Sequence, residues 1–133
     1  MSPSEGTILL IEDEEDVRRL LARALARLDY DLVEAENGEL GLQAAKQLAG
    51  SLSLVVTDIN MPVMSGLEFA REFRPLQPRV PILFITGLDL RISTAEAARY
   101  GGELLVKPFG PHTFLDTVTR VLAATTNAEQ SLA

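Results

Sequence analysis

Apolar runs of strand length alternate with helix-spaced apolar positions along almost the whole chain. Thr7–Ile11 is a short continuous apolar run, and Val17, Leu20, Leu21, Ala24, Leu25 and Leu28 follow at helical spacing. Asp31–Ala35 reads as a second strand, and Asn37-Gly38 then opens a helix with Leu40, Ala44 and Leu48 on one face. Leu52–Thr57 is the third strand and ends at Asp58. After the loop "NMPVMSG", residues 65–74 carry a helical stripe of Leu67, Ala70 and Phe73. Pro81–Thr86 is the fourth strand, Thr94–Tyr100 an Ala-rich helix and Glu103–Val106 the fifth strand. Pro111–Ala124 closes the pattern as a helix with Phe114, Val118 and Leu122 inward.

Continuous apolar strands joined by helices predict a parallel sheet covered on both faces. With right-handed crossovers, five βα units give a doubly wound α/β fold of the flavodoxin-like kind, with strand order 2-1-3-4-5. The expectation is one domain over residues 7–124, standing alone, with short flexible termini at 1–6 and 125–133. The tail "TTNAEQSLA" is polar and carries no pattern.

Composition narrows the function more than the fold. The 133 residues hold no cysteine, which excludes disulfides and thiolate metal sites and leans towards a cytoplasmic setting. No stretch approaches the roughly 20 apolar residues of a membrane span, and "MSPSEG" lacks the basic-then-apolar pattern of a secretory signal. A net charge of −7 argues against direct nucleic-acid binding, which draws on clustered Lys and Arg.

In a doubly wound sheet, functional groups gather beyond the carboxyl ends of the strands. Those ends carry Glu12-Asp13, Asp58, Thr86 and Lys107. Three carboxylates brought together raise one another's pKa, and a hard dication removes the conflict. Mg²⁺ is therefore the expected ion, with Asp13 and Asp58 as direct ligands. Glu12 serves directly or through water, and the backbone carbonyl of Asn60 completes the set. Lys107 is expected to hold Asp58 or an oxyanion attached to it, and Thr86 to offer a hydroxyl to the same oxyanion. The assembly suits phosphoryl transfer, where catalysis is positioning and charge neutralisation.

The acid pair Glu12-Asp13, "DINMPVMSG" (58–66), Thr86-Gly87 in "FITG" and "LLVKPF" (104–109) together resemble the response-regulator receiver domain of two-component signalling. The match in order and spacing covers roughly Thr7 to Ala123. The resemblance implies that Asp58 accepts a phosphoryl group from a phosphohistidine with Mg²⁺ present. The donor is then a sensor histidine kinase or a histidine phosphotransfer protein, and the output passes to a downstream protein target. Nucleic acid and membrane are not expected as direct partners, and a homodimer is left open. Glu12 stands where the family commonly has Asp. Leu104 stands where it usually has Tyr or Phe, which removes the ring of the usual switch and favours a relay or sink role serving hybrid kinases.

Other readings compete. A phosphate-independent binding module is suggested by Leu104. A Mg²⁺-dependent phosphohydrolase with Asp58 as nucleophile would resemble haloacid-dehalogenase-type enzymes, but those carry a second Asp where this chain has Asn60. Flavin binding is opposed by "EDEED", which repels a cofactor phosphate. Glu14, Glu15 and Asp16 are expected in the first turn of a helix, His112 on the surface, and Tyr100 packed near the end of the fourth helix. Gly66 is expected to supply an unusual backbone angle.

Overall fold

A computed structural model describes residues 6–87 and 94–132, with backbone alone at 94 and 126–132. The strands are β1 (Thr7–Ile11), β2 (Asp31–Ala35), β3 (Leu52–Asp58), β4 (Ile82–Thr86) and β5 (Gly102–Val106). The helices are α1 (Glu15–Leu25), α2 (Gly38–Gln47), α3 (Gly66–Phe73), α4 (Thr94–Arg99) and α5 (Pro111–Leu132). All strand pairs are parallel, in the order β2-β1-β3-β4-β5. This is the doubly wound arrangement that the sequence pattern predicts.

Period-two alternation divides each central strand between two cores. From β1, Leu9 and Ile11 join Val55, Phe69, Phe73 and Phe84 on one side of the sheet. Ile8 and Leu10 join Leu54, Val56, Leu83 and Phe114 on the other. Among the described residues, no helix is long and apolar enough to cross a membrane.

Three helical expectations change. In α2 the buried positions are Gly38, Gly41 and Ala45, while Leu40 is 40% exposed. The helix turns its smallest side chains to the sheet because its backbone lies against it. A Cβ added at Gly41 would stand 2.8 Å from Ile11 Cγ1 and closer still to Cδ1. Leu20 of α1, expected in the apolar stripe, is 65% exposed. Helix α5 passes the expected end at Ala124 and runs to Leu132. That stretch has neither Gly nor Pro to stop it and contains the helix formers Ala, Glu and Gln.

Gly41→Ala sets two effects against each other. Helix propensity gains about 1 kcal/mol, whereas overpacking against a buried Ile11 costs about 1–3 kcal/mol. The expected net result in urea denaturation is a loss of about 1 kcal/mol. Equal or greater stability would mean that Ile11 moves aside freely.

Beside the same core, Arg74 joins segments that are far apart in sequence. Its Nε donates to the Tyr100 carbonyl at 2.8 Å, and its Nη1 donates to the carbonyls of Gln77 and Val80 at 3.0 and 2.8 Å. The guanidinium carbon also lies 5.7 Å from the Phe73 ring centroid. Tyr100 itself packs against the first core, as expected.

Candidate functional site

Strands β1 and β3 are neighbours, so the residues at their carboxyl ends share one edge of the sheet. Carboxylate oxygens of Glu12, Asp13 and Asp58 all lie within 4.8 Å of one another. Asp58 is 6% exposed and Glu12 1% exposed, whereas Asp13 is half-buried.

Glu12 is held from several directions. Its N–H donates to the Ala35 carbonyl of β2 at 3.0 Å, and its Oε2 accepts the Glu14 N–H at 3.1 Å. Its Oε1 is buried and has no hydrogen-bond partner among the described residues. The Glu12 carboxyl is pushed up to about 8, from an ordinary value near 4.5. Burial is the largest cause, and repulsion from Asp58 and the proximity of Asp13 add to it. Mutual repulsion, the cause expected from sequence, is thus secondary to loss of water.

Beyond β3, Lys107 Nζ stands 3.4 Å from Asp58 Oδ2. Two registers bring them together. Asp58 pairs with Ile85 of β4, and Thr86 pairs with Val106 of β5, so Lys107 emerges just past the edge strand. The Lys107 N–H donates to the Thr86 carbonyl at 2.7 Å. The Thr86 hydroxyl is buried and has no partner among the described residues. Asn60 is exposed, and its N–H donates to Asp58 Oδ1 at 3.3 Å.

The loop after Asp58 is built differently from its expected form. Gly66 does not adopt a positive φ; the residue that does is Val63, at 73°. Met64 N–H donates to the Pro62 carbonyl at 2.8 Å, which closes a tight three-residue turn around Val63. Gly66 is needed for space instead. A Cβ there would run into the Asp58 carbonyl and stand 3.0 Å from Ile59 Cα. Ser65 then starts α3 with a reciprocal capping box to Glu68.

The remaining acids of the opening cluster are exposed. Glu14 is the N-cap of α1 and makes no side-chain cap bond, while Glu15 and Asp16 lie in the first turn. His112 is 93% exposed, 3.4 Å from Asp116. Leu104 is half-buried on β5 opposite Phe84, and it packs against the first core. Beside Lys107, a groove of about 320 Å³ is lined by Val17, Leu20, Leu21, Pro108, Phe109 and Phe114.

One contributor was not singled out in the sequence. Arg18 Nη1 donates to the Glu12 carbonyl at 2.8 Å, and its Nε lies 3.5 Å from Glu34 Oε1. An Arg one turn into a helix is too common to mark such a role.

Residues 8–119 match the family model described as the response regulator receiver domain. The chain belongs to the receiver family. The Brucella abortus response regulator receiver protein CpdR is 33% identical over 118 residues, which cover 88% of this chain and 97% of CpdR. The sensor kinase CckA of the same organism is 35% identical over 120 residues, 88% of this chain but 12% of the kinase. The chain spans 43–52% of several transcriptional regulators that it matches. Among solved structures, the Vibrio cholerae chemotaxis protein CheY4 superposes with a TM-score of 0.76 at 30% identity. That alignment covers 87% of this chain and 98% of CheY4. As a receiver domain, the chain is a signalling module of two-component systems.

Proposed function

We propose that Asp58 accepts a phosphoryl group from a phosphohistidine. The donor is a sensor histidine kinase or a histidine phosphotransfer protein. In the transfer a carboxylate oxygen of Asp58 attacks phosphorus, the P–N bond breaks, and an acyl phosphate forms as the histidine leaves. The observation that carries this reading is a nearly buried Asp58 paired with Lys107, at the same strand ends as a buried Thr86 hydroxyl that has no partner among the described residues.

The donor set fits Mg²⁺. Glu12, Asp13 and Asp58 supply hard oxygens at one point, and the buried Glu12 Oε1, without a hydrogen-bond partner among the described residues, is free to turn to a cation once its proton is lost. Asp13 and Asp58 would hold the ion directly, with the Asn60 carbonyl, and Glu12 directly or through water. Bound there, Mg²⁺ would neutralise charge on the transferring group and let carboxylates and phosphoryl oxygens share one site.

Lys107 keeps Asp58 oriented and, after transfer, has an added anionic oxygen to bind. The Thr86 hydroxyl is a donor for another. The apolar groove beside Lys107, with exposed Leu20, offers the donor protein a surface next to the acceptor. The signal then leaves through the β3–α3 and β4–α4 loops and α4 to a downstream protein, or the phosphoryl group is passed on in a relay. Leu104 gives the output no aromatic ring to move.

Incubation with acetyl phosphate and Mg²⁺ should add one phosphoryl group per chain by intact mass, and none to Asp58→Ala. An equal adduct on Asp58→Ala, or none on the wild type, would sink the proposal. Steady release of phosphate from small monoesters would favour the phosphohydrolase instead.

A further inference from the structure

The geometry points to Arg18 as a positioning residue for the acid pair Glu12-Asp13, an inference that rests on the Mg²⁺ reading above. The loop between β1 and α1 carries both acids, yet Glu14 gives it no side-chain cap. Arg18 supplies the missing tie from the helix. Its side chain is 19% exposed and folds back to the start of α1, where Nη1 donates to the Glu12 carbonyl at 2.8 Å. The Nε side of the same guanidinium faces Glu34 of β2 at 3.5 Å. Because the guanidinium is planar and rigid, a contact at Nε limits where Nη1 can point. The Glu12 N–H is bonded to Ala35, also on β2. The backbone at Glu12 is thereby clamped on its amide side by β2 and on its carbonyl side by α1. That carbonyl belongs to the peptide leading into Asp13, so the Arg18 bond sets the direction in which Asp13 leaves the strand.

Charge and position predict opposite results for its removal. Arg18 is a cation near a cation site, and on Coulomb grounds alone its loss tightens metal binding. As a positioning residue, its loss lets the Glu12-Asp13 peptide turn and weakens binding. Outer partners of metal ligands typically cost 10–100-fold in affinity when removed.

The test is Mn²⁺ titration of the full chain, read by the electron paramagnetic resonance signal of free Mn²⁺, with Mg²⁺ competition. Wild type, Arg18→Met, Arg18→Lys and Asp13→Asn are compared, and each is unfolded in urea with EDTA. Arg18→Met is expected to bind about 10-fold more weakly. Arg18→Lys keeps the charge but has no fork to span two partners, and is expected to bind about threefold more weakly. A merely structural role would lower urea stability and leave Mn²⁺ affinity of the folded protein unchanged. Wild-type or tighter affinity in Arg18→Lys, or in a folded Arg18→Met, overturns the assignment. Equal Mn²⁺ binding by wild type and Asp13→Asn overturns the metal site itself, and the role of Arg18 with it.

Discussion

Asp13→Asn should weaken Mg²⁺ binding at least about 100-fold, equivalent to about 3 kcal/mol, and reduce phosphorylation of Asp58 to background at millimolar Mg²⁺. Asp13 is the most exposed of the three converging acids and the one best placed to reach an ion arriving from solvent. The amide keeps the shape and one oxygen but removes the anionic ligand that a hard dication prefers. Isothermal titration with Mg²⁺ and intact-mass analysis after acetyl phosphate would report the two losses separately. The metal-free fold should tolerate the change, because it relieves repulsion between Asp13 and the neighbouring Asp58. If Asp13→Asn bound Mg²⁺ like the wild type, the ion would have to sit elsewhere. Neutralising the neighbouring Glu15 provides the contrast. It is exposed and, among the described residues, paired with Arg19 at 2.9 Å, so its removal should leave metal binding intact.

The second large effect is a dependence on pH caused by Glu12. Its folded-state value of about 8 lies above the ordinary 4.5 of an unfolded chain. Between those values the folded protein holds a proton that the unfolded protein releases. Stability of the metal-free domain should therefore fall as pH rises from about 4.5 to about 8, and this contribution should be level outside that window. Glu12→Gln removes the titrating group while keeping its size. The variant should lack this slope, and its advantage over wild type should grow through the window and be largest above pH 8. Urea unfolding in EDTA at several pH values checks this; parallel curves for the two proteins would refute it. Since an ion favours the charged carboxylate, Mg²⁺ affinity of the wild type should rise over the same range, with proton release on binding.

The strands and their order were legible because apolar runs and βα alternation depend only on residue type and spacing. The placement of Glu12, Asp13, Asp58, Thr86 and Lys107 at strand ends follows from that reading. What was hidden has a common physical cause. The inward face of α2 is made of Gly38, Gly41 and Ala45, so a search for large apolar side chains selects Leu40 instead. The ties made by Arg18 and Arg74 end on main-chain carbonyls, and every residue has one. No particular partner type marks such a bond in the sequence. The same holds for Gly66, which is required by a neighbouring carbonyl rather than by its own torsion angle. Side-chain chemistry is written in residue identity; close approach of backbones is not.

Arg74 ties down one end of α4. By binding Tyr100, it fastens the end of that helix nearest the start of β5, on the opposite edge of the sheet from Asp58. The other end of α4, at Thr94, is the one towards the edge that carries Asp58 and Thr86. A push delivered at that edge meets a helix pinned at its far end. Should α4 shift on phosphorylation, as proposed above, a helix held at this end would swing about Tyr100, moving most near Asp58 and least at the pivot.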